Sequence, residues 1–398
     1  MSSQLKQTPF HSRTSALMEG FAWRRWAGYA VASVYELSHE REYHAIRSAA
    51  ALFDVTPLYK YLIRGRDAGR LLNRVVTRDV EKSSVGQVLY TPWCDARGKV
   101  IDDGTVSRLD ETTFRMTSAD PNARWLHLNA AGLDVTIEDV SERTAALSLQ
   151  GPLSRAILEQ ACDRELGGLK FFRLTNAKIR GVPVTISRTG YTGDLGYELW
   201  IDAVHSLQVW DGLIDAGAGY GITPAGLLAL DLARNEAGLL LIDVDYVSAH
   251  HALIESQTST PYELSLGWTV ALGKDRFNGR DALVAEQTRA PAWRFMGVEV
   301  EWDGLESLYA EVGLPPRLPT TAWRASTPLY VGGLQVGYAT SGCWSPLLKR
   351  YIALAHLEGP YGEPGATVEM EVTVEHRRKR APATVRPLPF FNPSRKRA

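Results

Sequence analysis

Apolar residues recur along this chain with two different periods, and the periods alternate. LFDVTPLYKYLIRG (52–65) is crowded with β-branched and aromatic residues and ends in glycine, which predicts a strand. RDAGRLLNRVVTRDV (66–80) follows with Leu71, Leu72, Val75 and Val76 on one helical face. QVLYTPWCDARGKVIDDGTVSRLDETTFRMTSA (87–119) predicts three strands joined by turns at DARGK and LDET. A short helix over NARWLHLNAAG and a strand over LDVTIEDVSE come next. ERTAALSLQGPLSRAILEQAC predicts strand, Gly-Pro turn and helix. Residues 171–202 predict strands broken by a glycine-rich loop, and SLQVWDGLIDAGAGYG and PAGLLALDLARNEAG predict helices, each closed by glycine.

Many neighbouring strands are joined by turns too short for a crossover. That predicts mixed or antiparallel α+β rather than a doubly wound parallel sheet. The first 50 residues are helix-biased. From about residue 290 the chain becomes strand and turn, interrupted by a Pro-rich insertion, DGLESLYAEVGLPPRLP (303–319), and the last 110 residues predict a small all-β domain. No repeat with a period of about 20–50 residues is visible.

Length and charge narrow the function classes. A chain of 398 residues is expected to hold two to three domains. With 45% hydrophobic residues it can bury a core, and a net charge of −1 argues against a general nucleic-acid or membrane-surface binder. No apolar run approaches the roughly 18 residues of a membrane span, and the N-terminus has no apolar region of a secretory signal. The tail 376–398 carries eight basic residues and no acid, and is expected to be a solvated edge strand. Cys94, Cys162 and Cys343 match no zinc or disulfide spacing, which fits a reducing, cytoplasmic setting. His250 and His251 lack Cys or carboxylate companions at ligand spacing and are read as structural, so no metal is expected.

Three stretches could carry chemistry. In VIDDGTV (100–106), strand alternation puts Asp102 and Asp103 on opposite faces, one solvated and one inward. An inward carboxylate needs partners, so it is either bonded to backbone or used. In RTGYTGDLGYELW (188–200), three closely spaced glycines let the backbone pass near something, but the spacing is neither a dinucleotide fingerprint nor a phosphate loop. Tyr191, Tyr197 and Glu198 flank that turn. Rings and one acceptor-only carboxylate suit a flat heterocycle with N–H groups on its edge; a plain hairpin is the other reading. In LARNEAG (232–238), Arg234 and Glu236 lie near the Gly stop of a helix.

In this order and at this spacing, the segments resemble the folate-binding aminomethyltransferase family, the glycine cleavage T-protein and its relatives. TPF (8–10), LFDVTP, GQVLYTPWCDARGKVIDDGTV, LSLQGP (147–152), RTGYTGDLGYEL, LARNEAG, PYELSLGWTV, TSGCWSPLLKR (340–350) and PATVRPLPFFNP each match a segment of that family. The resemblance implies a three-domain cloverleaf: residues 1–50 with 140–285, residues 51–139, and a C-terminal β-barrel or jelly-roll-like domain, 286–398. It implies tetrahydrofolate in a central channel. Asp103 then lies near the reacting nitrogens as the catalytic carboxylate, Glu198 binds the pterin edge with Tyr191 beside it, and Arg234 and Arg377 meet the glutamate tail. Tyr90 and Leu58 line the channel.

The departures concern the donor. Ala229-Leu230-Asp231 replaces the family's A-R-D, and Thr117-Ser118-Ala119, followed by Asp120, replaces N-A-S. These features look more like the branch containing dimethylsulfoniopropionate demethylase, whereas RTGYTG looks like aminomethyl transfer. The K-G-C-Y-x-G-Q-E motif of the iron–sulfur-assembly relatives is absent. The expectation is methyl transfer from a small methylated donor to tetrahydrofolate. The alternatives are aminomethyl transfer from a lipoyl carrier protein and a non-catalytic folate-binding regulator. Among the aromatics of FAWRRWAGYAVASVYE, Trp26 and Tyr29, together with Trp93, are expected to wall the donor end, where cation–π attraction suits a sulfonium or quaternary ammonium.

Overall fold

The computed structural model describes residues 5–398. Its centre is a six-stranded sheet, in the order Leu174–Ile179, Val182–Ser187, Gly196–Asp202, Thr144–Gln150, Ala50–Asp54, Ile222–Pro224. The middle strand, TAALSLQ, is buried on both faces. Ala145, Leu147 and Leu149 join a core with the helices Ser154–Ala161 and Ser206–Gly217, while Ala146 joins a second core with the helix Leu227–Glu236. A strand covered on both sides has no solvent face, which explains its nearly continuous apolar character.

The chain leaves this sheet after Asp54 and returns at Thr144. The stretch 52–65 is therefore two strands in different sheets, not one, and the expected domain boundary at 50/51 cuts into the strand Ala50–Asp54. The corner is built by side chains. Asp54 accepts the Thr56 N–H at 3.0 Å and the Thr8 hydroxyl at 2.6 Å. The buried Lys60 ammonium donates to the carbonyls of Thr56 and Leu58 at 2.6 and 2.8 Å. Pro57 stands between, and a proline cannot continue a central ladder.

The second sheet is antiparallel throughout, in the order Val88–Cys94, Val100–Arg108, Thr113–Ser118, Tyr59–Arg64, Thr136–Asp139. Its helices, Ala68–Val75 and Ala123–Asn129, cover one face over Tyr61, Ile63, Trp93, Phe114 and Met116. The opposite face turns toward the rest of the molecule and carries Tyr90, Asp103 and Arg115. Gly104 is required here, because a Cβ would sit 2.0 Å from the Thr117 carbonyl oxygen of the neighbouring strand.

The C-terminal region is a closed barrel of six strands, in the order Trp293–Val300, Arg350–Glu358, Leu334–Ser345, Thr327–Val331, Thr367–Val374, Arg377–Arg386. Residues Arg377–Arg386 of the basic tail form a strand of this closed barrel rather than an edge strand. Cations of the tail meet acids of neighbouring segments, Lys379 with Glu311 at 2.6 Å and Arg395 with Asp194 at 2.7 Å. Two further expectations need correction. The first 50 residues contain a three-stranded sheet, Lys6–Gln7, Tyr29–Ala32 and Trp23–Trp26, besides helices. The Pro-rich insertion opens with a helix, Trp302–Ala310, which buries Leu305 and Tyr309 against the barrel.

Candidate active site

Asp103 is held at both carboxylate oxygens. Tyr90, from the adjacent strand, donates to Oδ2 at 2.8 Å, and Tyr246, from the segment after the helix Leu227–Glu236, donates to Oδ1. Asp103 keeps some accessible surface although protein surrounds it, the condition of a side chain in a recess. Burial pushes its pKa up and the two phenols oppose that shift. Tyr191 belongs to the same cluster. Its hydroxyl donates to the Leu240 carbonyl, and its pKa and that of Tyr90 both respond to the Asp103 charge. Tyr90 also stacks on Trp268 with ring centroids 6.2 Å apart.

Asp102 does point to the other face, as alternation requires, but that face is not solvent. Asp102 is 0% exposed. It accepts the backbone N–H of Asp103 at 2.8 Å, that of Asp120 at 3.0 Å and the Asn122 amide at 3.0 Å. Burial and then the neighbouring Asp103 raise its pKa well above the carboxylate range. The helix Ala123–Asn129 and its N-terminal turn cover this side of the strand, so both faces are occupied. Asp102→Asn would aim an amide N–H₂ at groups that are themselves donors. We expect it to destabilise the protein by about 1–3 kcal/mol, read as a lowered denaturation midpoint.

Glu198 lies on the strand Gly196–Asp202 and accepts the Thr189 hydroxyl through Oε2. Burial raises its pKa, and Thr189 and the Arg115 charge oppose the rise. The glycine-rich loop that presents it wraps around Gln150 of the LSLQGP segment. Gln150 donates to the Thr189 carbonyl at 3.2 Å and accepts the Thr192 hydroxyl at 2.8 Å. A Cβ at Gly190 or at Gly196 would lie 2.1 Å from the Gln150 amide, so the two motifs form one packed unit. The same loop serves both carboxylates, since Thr189 holds Glu198 and Tyr191 borders Asp103.

Other expected contacts fall elsewhere. Arg234 is fully buried and bridges Asp245 at 2.5 Å and Asp231 at 3.4 Å, both of which keep it protonated. It is 0% exposed and keeps one unpartnered donor, Nη2. Asp245 in turn accepts the hydroxyls of Thr340 and Ser341 at 2.5 and 2.8 Å, which joins this segment to the barrel. Arg377 is exposed at the turn between the last two barrel strands. Leu58 and Trp26 both pack against a core that includes Tyr43, Leu232 and Cys343. Tyr29 pairs with Trp26 across its hairpin but lies under the Lys6 ammonium, 5.7 Å away.

Trp93 is a correction. It is 0% exposed, donates to Asn122 Oδ1 at 3.0 Å and packs in the core of the second sheet. Tyr90 and Trp93 are three residues apart on one strand, so they face opposite sides. Trp344, on a barrel strand, packs on Trp302 of the helix Trp302–Ala310, ring centroids 5.3 Å apart. His251 does have carboxylate companions, Asp120 at 3.3 Å and Asp243 at 3.4 Å, the latter from its own loop and the former from a distant segment.

Sequence reasoning missed Tyr246, Asp245 and Arg115. Tyr246 and Asp245 stand in a loop with no periodic signal. Arg115 stands out only as a charged residue between Phe114 and Met116 in a strand. No helix among the described residues is long and apolar enough to cross a membrane.

Comparison with known proteins fits this geometry. Residues 9–274 match the GCVT N-terminal domain model, and residues 312–392 match that of the glycine cleavage T-protein C-terminal barrel domain. The chain is 34% identical to the trimethylamine-oxide aldolase of Ruegeria pomeroyi over 98% of its own length and 48% of that protein. It is 33% identical to the aminomethyltransferase of Caldanaerobacter subterraneus, covering 87% of this chain and 86% of the relative. An aminomethyltransferase of Bacillus cereus is 32% identical, with 90% and 91% covered. The chain thus spans about half the length of the Ruegeria relative and most of the length of the other two. In fold it matches the glycine cleavage system aminomethyltransferase T of Bartonella henselae with a TM-score of 0.82, at 23% identity, over 98% of this chain and 99% of that one.

Proposed function

The chain belongs to the glycine cleavage T-protein family, and from that premise we propose that it transfers a methyl group from a small methylated donor to tetrahydrofolate. The observation that carries this reading is Asp103, fixed by two tyrosine hydroxyls in a recess.

The residues present fit tetrahydrofolate. Glu198 has accepting capacity beyond its one hydroxyl partner, and Arg115 beside it has orphaned buried donors, Nε and Nη2. A pteridine edge offers both N–H groups and a carbonyl. When bound, tetrahydrofolate supplies a nucleophilic secondary amine that takes up the carbon. Glu198 binds the N–H edge. Asp103, unable to swing because both oxygens are held, stabilises positive charge that develops at the reacting nitrogen. Tyr90 and Tyr246 orient that carboxylate, and Tyr191 closes the side of the recess. Most of the rate then comes from holding two reactants in near-attack geometry.

Two observations favour a small donor. Tyr90, Tyr191 and Tyr246 gather around one carboxylate, a setting that suits a methylated cation. A relative aligned with nearly the whole chain is named for a small methylated amine oxide. Aminomethyl transfer from a lipoyl carrier protein is the second reading, supported by the relatives named aminomethyltransferase. Incubation with tetrahydrofolate and candidate donors, followed by mass spectrometry, separates them. Methyl-tetrahydrofolate from a methylated sulfonium or ammonium compound is the expected product. Methylene-tetrahydrofolate and ammonia, formed with aminomethylated carrier protein and with no small donor, would reject the proposal in favour of the second reading.

A further inference from the structure

Arg115 occupies the middle of the strand Thr113–Ser118. Its neighbours Phe114 and Met116 point into the core of the second sheet, so Arg115 points out of the opposite face. It nevertheless ends up 6% exposed, with Nε and Nη2 buried and unpartnered. Its guanidinium lies 4.1 Å from the ring centroid of Trp200. Trp200 and Glu198 are two residues apart on one strand and share a face, which puts Arg115 beside Glu198. The Glu198 charge reaches it, yet no hydrogen bond joins the two. Lys60, the other buried cation nearby, is already engaged by backbone carbonyls.

A guanidinium carries five N–H donors and no acceptor, and burying it unpaired is costly. Two unpartnered donors on one buried guanidinium are available to a group from outside the chain. The character of that group follows from charge. One guanidinium beside one carboxylate is neutral in sum, so an anionic ligand would set two negative charges against one positive. A neutral edge that donates on one side and accepts on the other matches the pair. The lactam edge of a pteridine is such an edge.

We propose that Arg115 is a specificity residue that donates to the 4-oxo oxygen of the pteridine while Glu198 accepts the N–H groups beside it. The proposal rests on the folate reading given above and adds to it. It predicts discrimination between 4-oxo and 4-amino pteridines, because a 4-amino group would turn a donor toward the guanidinium.

The test is anaerobic calorimetry of the full chain with tetrahydrofolate and with its 4-amino-4-deoxy counterpart, tetrahydroaminopterin. The wild type should bind tetrahydrofolate about 10- to 150-fold more tightly than the 4-amino compound, the range for a charge-assisted hydrogen bond in a buried site. Arg115→Met should lose about that factor for tetrahydrofolate and leave the 4-amino affinity within a few-fold, which narrows the preference to the part that Glu198 supplies, since N3 carries a hydrogen for its carboxylate only in the 4-oxo ring. Arg115→Leu, also uncharged and without donors, provides a second variant judged by the same criterion should the Met variant fail to fold. Equal weakening of both ligands, or no change in either, would overturn the assignment and leave Arg115 a structural cation. If the wild type binds neither compound, the folate reading itself falls and this proposal with it, a result distinct from binding that ignores Arg115.

Discussion

Asp103→Asn should lower turnover about 100- to 1,000-fold and leave tetrahydrofolate affinity within a few-fold. The substitution keeps the shape of the side chain and removes its charge. Tyr90 and Tyr246 can rotate their hydroxyls to suit an amide, so the recess should survive. What is lost is a negative charge aimed in advance at a nitrogen becoming positive, in surroundings that screen it weakly. The pH profile adds a second readout. Burial raises the Asp103 pKa, so its carboxylate protonates at a higher pH than an ordinary one. As pH falls, kcat/KM should decline above the usual carboxylate range, and the Asn variant should lack that limb. Equal kcat in variant and wild type would remove Asp103 from the chemistry. Asp102→Asn is a useful companion only at temperatures where it remains folded, since its effect is expected on stability.

Glu198→Ala should weaken tetrahydrofolate about 10- to 150-fold, equivalent to roughly 1.5–3 kcal/mol for one charge-assisted bond. The carboxylate reaches its place through a loop built on Gln150, and Gln150 does not depend on Glu198, so the fold should hold. The Ala variant also leaves Arg115 without its anionic neighbour, which moves the measured loss toward the upper end of that range. Calorimetry on the variant, with its denaturation midpoint recorded alongside, checks both statements. Because burial raises the Glu198 pKa, wild-type affinity should fall on acidification before that of an exposed carboxylate would. Unchanged affinity in the Ala variant would place the pteridine elsewhere.

Neighbour-to-neighbour information carried the sequence reading where it worked. The alternation in Val100–Arg108, the helical face of Leu71, Leu72 and Val75, and the turns between short strands follow from interactions within one element. The structure forms these as read. The order of motifs along the chain was enough to suggest the family. Alternation also held information that went unused: Tyr90 and Trp93 cannot share a face of one strand.

Which face is wet was decided elsewhere. Asp102 points away from Asp103 as its position dictates, but the helix Ala123–Asn129 and its turn fill that side, so the expected solvated carboxylate is a buried acceptor of three N–H groups. Arg234, expected at a glutamate tail, is claimed by Asp245, eleven residues on and across a loop. The second phenol on Asp103 comes from Tyr246, 143 positions away. By itself the sequence determined the local elements, the glycines at Gly104, Gly190 and Gly196, and the two carboxylates proposed for the site. Tertiary structure alone decided their partners and burial. A strand pattern specifies two faces and says nothing of what covers each. The electrostatics of Asp102, Asp103, Arg115 and Glu198 depend on groups from distant segments that meet only when the sheets and the barrel close on one another.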